Sequence, residues 1–199
     1  DATRGAALGI RPSRVTNASH RDLERLARQA PRSDTALLLE IIAAAEGISS
    51  PSERVGVLER IAARPALDSS VVNALARAAG RITSSDSKVK LLKVLIEKQP
   101  HSRCASRRAV LDAVGGVSSS QDKGALLSLF LTQGDLDDAA LIDGITAVGR
   151  ITSGTTKSQV LVATARARKL EEAVQRTYVR VAGTISSGED RARALSALF

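Results

Sequence analysis

One segment of the chain returns four times at an almost constant distance. Residues 48–58 read ISSPSERVGVL, and similar openings begin at Ile82, Val117, Ile151 and Ile185, so that successive openings lie 34, 35, 34 and 34 residues apart. A fixed period in the range of about 20 to 50 residues is typical of stacked-repeat proteins, in which each unit buries its apolar face against its neighbours. The period therefore predicts a repeat architecture.

Each copy has the pattern of a helical hairpin. In residues 48–81, Ser50 and Glu53 form the sequence of a capping box, and apolar residues follow at spacings of three and four, as one face of a helix requires. Pro65 ends this first helix, which we expect to run to about residue 63, and Asp68 or the serine after it caps a second helix. The copy that begins at Ile151 lacks a turn residue at this place, and only the period puts its break near Lys169.

A glycine stands one or two residues before each opening. Its place predicts that it ends the second helix in the left-handed conformation that glycine adopts without strain. The apolar residue that follows should pack the next helix onto the last. The five glycines are Gly47, Gly80, Gly115, Gly149 and Gly183.

These patterns predict one all-α domain, an α-solenoid of about five stacked helical hairpins with a 34-residue period and a terminal half-repeat. Residues 1–14 mix Gly, Pro and Arg without a period and are interpreted as a lead-in to the domain of residues 15–199. We expect Leu195, Leu198 and Phe199 to pack on the preceding hairpin. The predicted units are a degenerate first repeat, four clear repeats and the half-repeat: 15–47, 48–81, 82–116, 117–150, 151–184 and 185–199.

The composition limits the classes of function. Cys104 is the single cysteine, so that an intramolecular disulfide and a thiolate metal cluster are excluded. No apolar stretch approaches the roughly 20 residues of a membrane span, and we expect none. Three dispersed aromatic residues cannot supply the stacking platform of single-strand nucleic-acid binding, so nucleic acid is an unlikely partner. The net charge of +8 favours acidic partners.

A basic residue stands seventh in every clear repeat. A cation in the first turn of a helix faces the positive end of the helix dipole, so something nearby must offset that cost. One interpretation is an inter-repeat ladder, in which the charge pairs with carboxylates or helix-end carbonyls of a neighbour. The other is a basic stripe, with one charge per repeat, along a groove that binds an acidic peptide, a C-terminal carboxylate or a polyanion. We call these residues the basic row: Arg54, Lys88, Lys123, Lys157 and Arg191.

Other candidates for chemistry have simpler interpretations. GRITSGTTKS, residues 149–158, departs from the spacing of a phosphate-binding loop and is predicted to be a helix cap. His101 and Cys104 lack further ligands for a metal, and Asp135, Asp137 and Asp138 lack the glycine and the terminal glutamate of a calcium loop. No nucleophile stands with a positioned base. We therefore expect no enzymatic activity, no metal and no cofactor.

The repeated openings ISSPSERVGVL, ITSSDSKVKLL, VSSSQDKGALL, ITSGTTKSQVL and ISSGEDRARAL resemble a type of bacterial helical repeat. This repeat has the form I-x-S-D-x-x-K/R-x-x-x-L, is related in architecture to HEAT and tetratricopeptide arrays, and occurs in C-terminal regions of membrane-anchored zinc metallopeptidase sensors. The resemblance covers residues 48–199 and implies an extracytoplasmic, periplasmic accessory α-solenoid. The chain lacks a His-Glu-x-x-His helix, so no peptidase activity is implied.

The sequence favours a non-catalytic protein–protein interaction scaffold that binds a peptide or protein domain on one face of the solenoid. One alternative is a structural or regulatory appendage of a larger enzyme or sensor, since the absence of methionine suggests a processed or excised piece. A third possibility is a weak binder of polyanions or duplex nucleic acid through phosphate contacts.

Overall fold

The computed structural model describes residues 15, 18–31, 33–99, 104–134 and 136–199, and over these residues the chain is all-helical, with eleven helices and no strand. The predicted lead-in, residues 1–14, lies outside them. In chain order the helices are α1 (His20–Gln29), α2 (Thr35–Glu46), α3 (Pro51–Ala62), α4 (Ser69–Gly80), α5 (Ser85–Lys98), α6 (Cys104–Gly115), α7 (Ser120–Leu131), α8 (Asp138–Val148), α9 (Gly154–Ala167), α10 (Glu172–Ala182) and α11 (Gly188–Ser196).

The helix starts follow the predicted capping chemistry. The Ser50 hydroxyl accepts the Glu53 N–H, with proline at the first helical position of α3, and Asp68 caps α4. All six odd-numbered helices begin after a serine that accepts a backbone N–H of the first turn, and each such cap stabilises a helix by about 1 kcal/mol. These serines are Ser19, Ser50, Ser84, Ser119, Ser153 and Ser187.

The hairpin turns lie close to their predicted positions. The helix that begins at Pro51 ends at Ala62, one residue before its expected end, and α4 begins directly after Asp68. In the copy that lacks a turn residue, α9 ends at Ala167 and α10 begins at Glu172, so that the break near Lys169 is confirmed.

The predicted left-handed glycine caps are wrong. Gly47, Gly149 and Gly183 have φ angles of −77°, −56° and −60°, all in the right-handed helical region. The last turn tightens instead, as when Gly47 and Ile48 donate their N–H groups to the carbonyls three residues back. The apolar residue that opens the next repeat is buried in the four later copies, where Ile82, Val117, Ile151 and Ile185 join the core as predicted.

The helices contact one another in a regular order. Each helix contacts the next one in the chain and the one after that, so that odd-numbered helices pack on odd-numbered helices and even-numbered on even-numbered. Among the described residues, no contact joins helices more than two apart in sequence. The buried apolar residues form a single cluster along this row of helices.

The apolar residues at the end of α11 and after it differ in exposure. Leu195 and Leu198 pack against the core as expected, whereas Phe199 is 98 % exposed, so the expectation is wrong for this residue.

Within the described ranges, no helix combines the length and the apolar composition that crossing a membrane would require.

Candidate protein-interaction surface

The basic row occupies one structural position. Each of its members is the fourth residue of an odd-numbered helix, from Arg54 in α3 to Arg191 in α11. Their exposure nevertheless differs, because Lys157 is only 8 % exposed, Arg54, Lys88 and Lys123 are half-buried, and Arg191 is exposed.

Three members of the basic row bind oxygen atoms at the ends of even-numbered helices. Arg54 donates from Nε and Nη2 to the carbonyl of Ile48, at 3.1 and 2.7 Å. Lys88 Nζ donates to the carbonyl of Gly116 at 3.4 Å, and Lys157 Nζ donates to the hydroxyl of Thr184 at 3.0 Å. These oxygens directly follow α2, α6 and α10, where the helix dipole favours a cation. Each of these three contacts lies within one predicted repeat, so the inter-repeat ladder remains a prediction.

The other two members have no such contact. The side chains of Lys123 and Arg191 form no hydrogen bond or ion pair with any part of the chain that the structure describes. No member of the row pairs with a carboxylate among these residues. Glu53 instead faces His20 at 3.6 Å, and Asp190 pairs with Arg193 at 3.1 Å. The five residues of the basic row therefore occupy the same position in their helices but do not make the same contact.

A second periodic row lies at the turns that follow the odd-numbered helices, and sequence analysis missed it. Its side chains all reach back to the backbone of the preceding repeat. Arg64 donates to the carbonyl of Ala30, and Arg168 donates to that of Leu136 at 3.4 Å. The members are spaced 35, 34 and 35 residues apart, which is the signal that could have revealed them. We call this set the turn row: Arg64, Gln99, Gln133 and Arg168.

Gln99 makes the most complete set of contacts in the turn row. Its side chain is 4 % exposed and donates from Nε2 to the carbonyls of Ala62 and Arg64, at 2.9 and 2.6 Å. Its Oε1 accepts the N–H of Leu67 at 3.0 Å. This N–H follows Ala66, whose φ of 54° is strained for a residue with a side chain. Gln99 thus holds the α3–α4 turn in its shape.

A buried arginine joins α6 to α8. Arg107 is 2 % exposed, and its guanidinium pairs with Asp143 at 2.9 Å and with Asp137, the cap of α8, at 3.6 Å. Both carboxylates remain partly exposed to water, so they neutralise the arginine without being fully desolvated themselves.

Next to this pair lies an open groove of about 170 Å³ between α6 and α8. Leu111 and Ala147 are buried apolar residues of its wall. Arg150 pairs with Asp112 at 3.5 Å, and both side chains are well exposed. Arg108 is exposed, and its side chain has no hydrogen bond or ion pair within the described residues. The groove is lined by Arg108, Leu111, Asp112, Asp143, Thr146, Ala147 and Arg150.

The remaining sequence candidates fall at helix starts or outside the described residues. In GRITSGTTKS, the Ser153 hydroxyl accepts the Thr156 N–H at 3.2 Å and caps α9, as predicted. Asp137 caps α8 by accepting the Ala140 N–H at 2.6 Å. His101, Asp135 and the side chain of Cys104 lie outside the described residues. In the parts of the chain that are described, no group of three or more side chains could hold a metal ion.

Comparison with protein-family models gives no match. Comparison with curated proteins and with solved structures gives no significant match either. The resemblance to the bacterial helical repeat therefore remains a prediction from the repeated openings.

Proposed function

We propose that residues 15–199 form one α-solenoid of five helical hairpins and a half-repeat that serves as a non-catalytic protein-interaction scaffold. The order of helix contacts supports the solenoid, because among the described residues the helices pack only on helices one or two places away in the chain. On this proposal the helix pairs α1–α2, α3–α4, α5–α6, α7–α8 and α9–α10 are the five hairpins.

The observation that carries the proposal is the groove between α6 and α8. Arg108 presents an exposed guanidinium without a described partner beside the apolar surface of Leu111 and Ala147. Ligand sites in proteins commonly combine apolar walls with a few polar groups, and this smaller groove combines the same kinds of side chain. The other charged side chains of the groove lining are paired with one another or with Arg107. Arg108 is therefore the residue that gives the groove an uncompensated positive charge.

The chemistry of the groove fits an acidic peptide. A guanidinium binds a carboxylate through two parallel hydrogen bonds, which fixes both the place and the orientation of the ligand. A short apolar side chain next to that carboxylate would lie against Leu111 and Ala147. The net charge of +8 accelerates the encounter with such a ligand at low salt.

The proposal is tested by selecting a peptide on the immobilised chain from a random dodecapeptide library and measuring its affinity for variants. We expect Arg108→Gln to weaken the selected peptide at least about tenfold, the loss of one charge-assisted pair. Arg77→Gln is the matched control, because Arg77 is exposed on the even-numbered helix α4. If the parent and Arg108→Gln bound the peptide with equal affinity, the groove between α6 and α8 would not be the peptide site.

The same peptide also tests the basic row. A loss of affinity in the triple variant with Gln at Lys88, Lys123 and Lys157, with no loss in Arg108→Gln, would move the binding site to the basic row. Equal losses in all variants, including the Arg77 control, together with a steep dependence on salt, would indicate non-specific binding of polyanions.

A structural appendage of a larger enzyme or sensor is the second candidate. Its support is that Arg54, Lys88 and Lys157 already bind oxygen atoms of the chain itself. On this alternative, the library yields no peptide, and the triple Gln variant unfolds at a lower urea concentration than the parent.

A further inference from the structure

The walls of the groove between α6 and α8 carry negative as well as positive charge. Two aspartates and two arginines line it: Asp112, Asp143, Arg108 and Arg150. Asp143 pairs with the buried Arg107 at 2.9 Å. Asp112 pairs with Arg150 at 3.5 Å. Because the side chain of Arg108 has no hydrogen bond or ion pair within the described residues, the groove offers one guanidinium to a ligand and keeps the other occupied.

Asp112 is the residue that occupies the second guanidinium. It stands four residues after Arg108 on α6, so the two side chains share one face of the helix and their Cβ atoms lie about 6 Å apart. The carboxylate of Asp112 nevertheless pairs across the groove with Arg150. An anion bound to Arg108 therefore meets a negative charge about one helical turn away, and the charge of Arg150 behind it is already compensated.

The pair of Asp112 and Arg150 is poorly suited to a structural role. The two side chains are 73 % and 63 % exposed. Ion pairs between exposed side chains contribute little to stability, because water screens both charges and both side chains lose freedom. Asp143 differs, since it compensates the charge of the buried Arg107. The carboxylate of Asp112 can therefore act on a ligand without being needed for the fold.

An acidic residue at this position occurs in one repeat alone. Asp112 stands fifth before the opening at Val117, and the residues fifth before the other four openings are uncharged or basic. They are Ala43, Arg77, Thr146 and Arg180. The repeat pattern therefore does not require a carboxylate here, and its presence is a particular property of the groove.

We propose that Asp112 makes the groove selective for a ligand with a single carboxylate at Arg108, and against a phosphorylated side chain at the same place. A carboxylate satisfies one guanidinium through two parallel hydrogen bonds. A phosphate group carries a charge of about −2 and must give up more hydration, which a second guanidinium would have to offset. Asp112 withholds that second guanidinium. The inference rests on the proposed peptide-binding function of the groove and defines the chemistry of its ligand.

The test uses two random dodecapeptide libraries that differ only in their fixed sixth residue, which is glutamate in one and phosphoserine in the other. Both are passed over the immobilised chain at about pH 8, where the phosphate is doubly ionised. Peptide that the parent retains and Arg108→Gln does not retain is the part bound at the groove. We expect this part to be at least about five times larger for the glutamate library.

The decisive variant is Asp112→Asn, which releases Arg150. It should reverse the preference, so that the phosphoserine library is retained at least about five times better. Asp86→Asn is the matched control, because it removes the same charge from an exposed aspartate on α5 and should leave the preference unchanged. Asp112→Glu keeps the charge and should keep the preference of the parent. Adding Arg150→Gln to Asp112→Asn should remove the gain for phosphoserine.

The outcomes separate this inference from the proposed function. If Arg108→Gln retains both libraries as well as the parent does, the groove is not the peptide site, and both proposals fail. If retention of the glutamate library depends on Arg108 but Asp112→Asn changes the preference no more than Asp86→Asn does, the proposed function stands and the role of Asp112 is wrong. A parent that prefers the phosphoserine library at the groove would also overturn the role of Asp112.

Discussion

The basic row and the turn row share a period but differ in what repeats. In the basic row the charge is constant, and yet Arg54 and Lys88 bind backbone carbonyls, Lys157 binds a hydroxyl, and the side chain of Lys123 binds no oxygen of the described residues. In the turn row the residue type is not constant, since arginine occupies the first and last positions and glutamine the two between them. All four of its members nevertheless donate to a backbone carbonyl of the preceding repeat.

This difference shows that a charge repeated in every unit need not make the same contact in every unit. A position that repeats at the boundary between two repeats is better evidence for a shared contact. A carbonyl that is buried between repeats must find a donor, and either an amide or a guanidinium can supply it. A positively charged side chain at a solvent-exposed helix start can remain hydrated. It therefore does not need the same protein partner in every repeat. The turn row should therefore matter more for stability than the basic row.

The largest expected effect is at Gln99. Replacement of Gln99 by Ala removes three hydrogen bonds and leaves the groups of Ala62, Arg64 and Leu67 buried without this partner. We expect a loss of about 3 kcal/mol in the free energy of unfolding, measured by urea denaturation. Gln133→Ala is the matched control, because that residue donates only to Ile96, and its loss should be about 1 kcal/mol. Equal losses at the two positions would contradict the role given to Gln99.

An intermediate effect is expected at Tyr178, whose hydroxyl on α10 donates to a backbone carbonyl of α11. Tyr178→Phe removes the hydrogen bond to Ala194 and should cost about 1 kcal/mol in urea denaturation. If the Phe variant were as stable as the parent, this hydroxyl would not hold the two helices together.

The same residue predicts a dependence on pH. Burial raises the pKa of Tyr178 to about 12, against an ordinary value of 10.0. Because the neutral phenol is favoured in the folded state, its stabilising contribution is complete below pH 10 and is lost as the pH rises from about 10 to about 12. Absorbance at 295 nm follows this group directly, since the chain has one tyrosine. The Phe variant corrects for every other group that responds to high pH, and identical losses in both proteins above pH 10 would contradict the assignment.

The smallest effects should separate the members of the basic row. Lys157 is buried and bound to Thr184, so Lys157→Gln should cost about 1 kcal/mol. Lys123→Gln removes no described contact and should change the free energy of unfolding by less than about 0.5 kcal/mol. The two variants are compared by their urea midpoints. A loss at Lys123 as large as that at Lys157 would indicate one uniform ladder.

The hairpins could be predicted from the sequence because their signals are local. Ser50 with Glu53 marks the start of α3, and Asp68 marks that of α4, each through a side chain that caps its own helix. The break near Lys169 has no local signal and followed from the period alone. The contacts between neighbouring helices are consistent with the stacking that the period predicts.

The features that could not be predicted depend on how neighbouring helices lie against one another. A glycine at a helix end can adopt the left-handed conformation but is not forced to do so. At Gly47 the backbone leads into the next helix with a negative φ angle. The groove beside Arg108 depends on the separation of α6 and α8. The spacing of the turn row could have revealed it, but its mixture of arginine and glutamine hides it from a search for one repeated residue type.

The hydrogen bonds of the turn row all run in the same direction along the sequence. Each of its hydrogen bonds described above joins the backbone at the end of one repeat's first helix, or in the turn after it, to a side chain that comes 32 to 37 residues later. During synthesis the amino-terminal repeats emerge first, so the backbone of each turn stays hydrated until the ribosome has made most of the following repeat. Translation would thus complete the turns in sequence, each one closed by its successor.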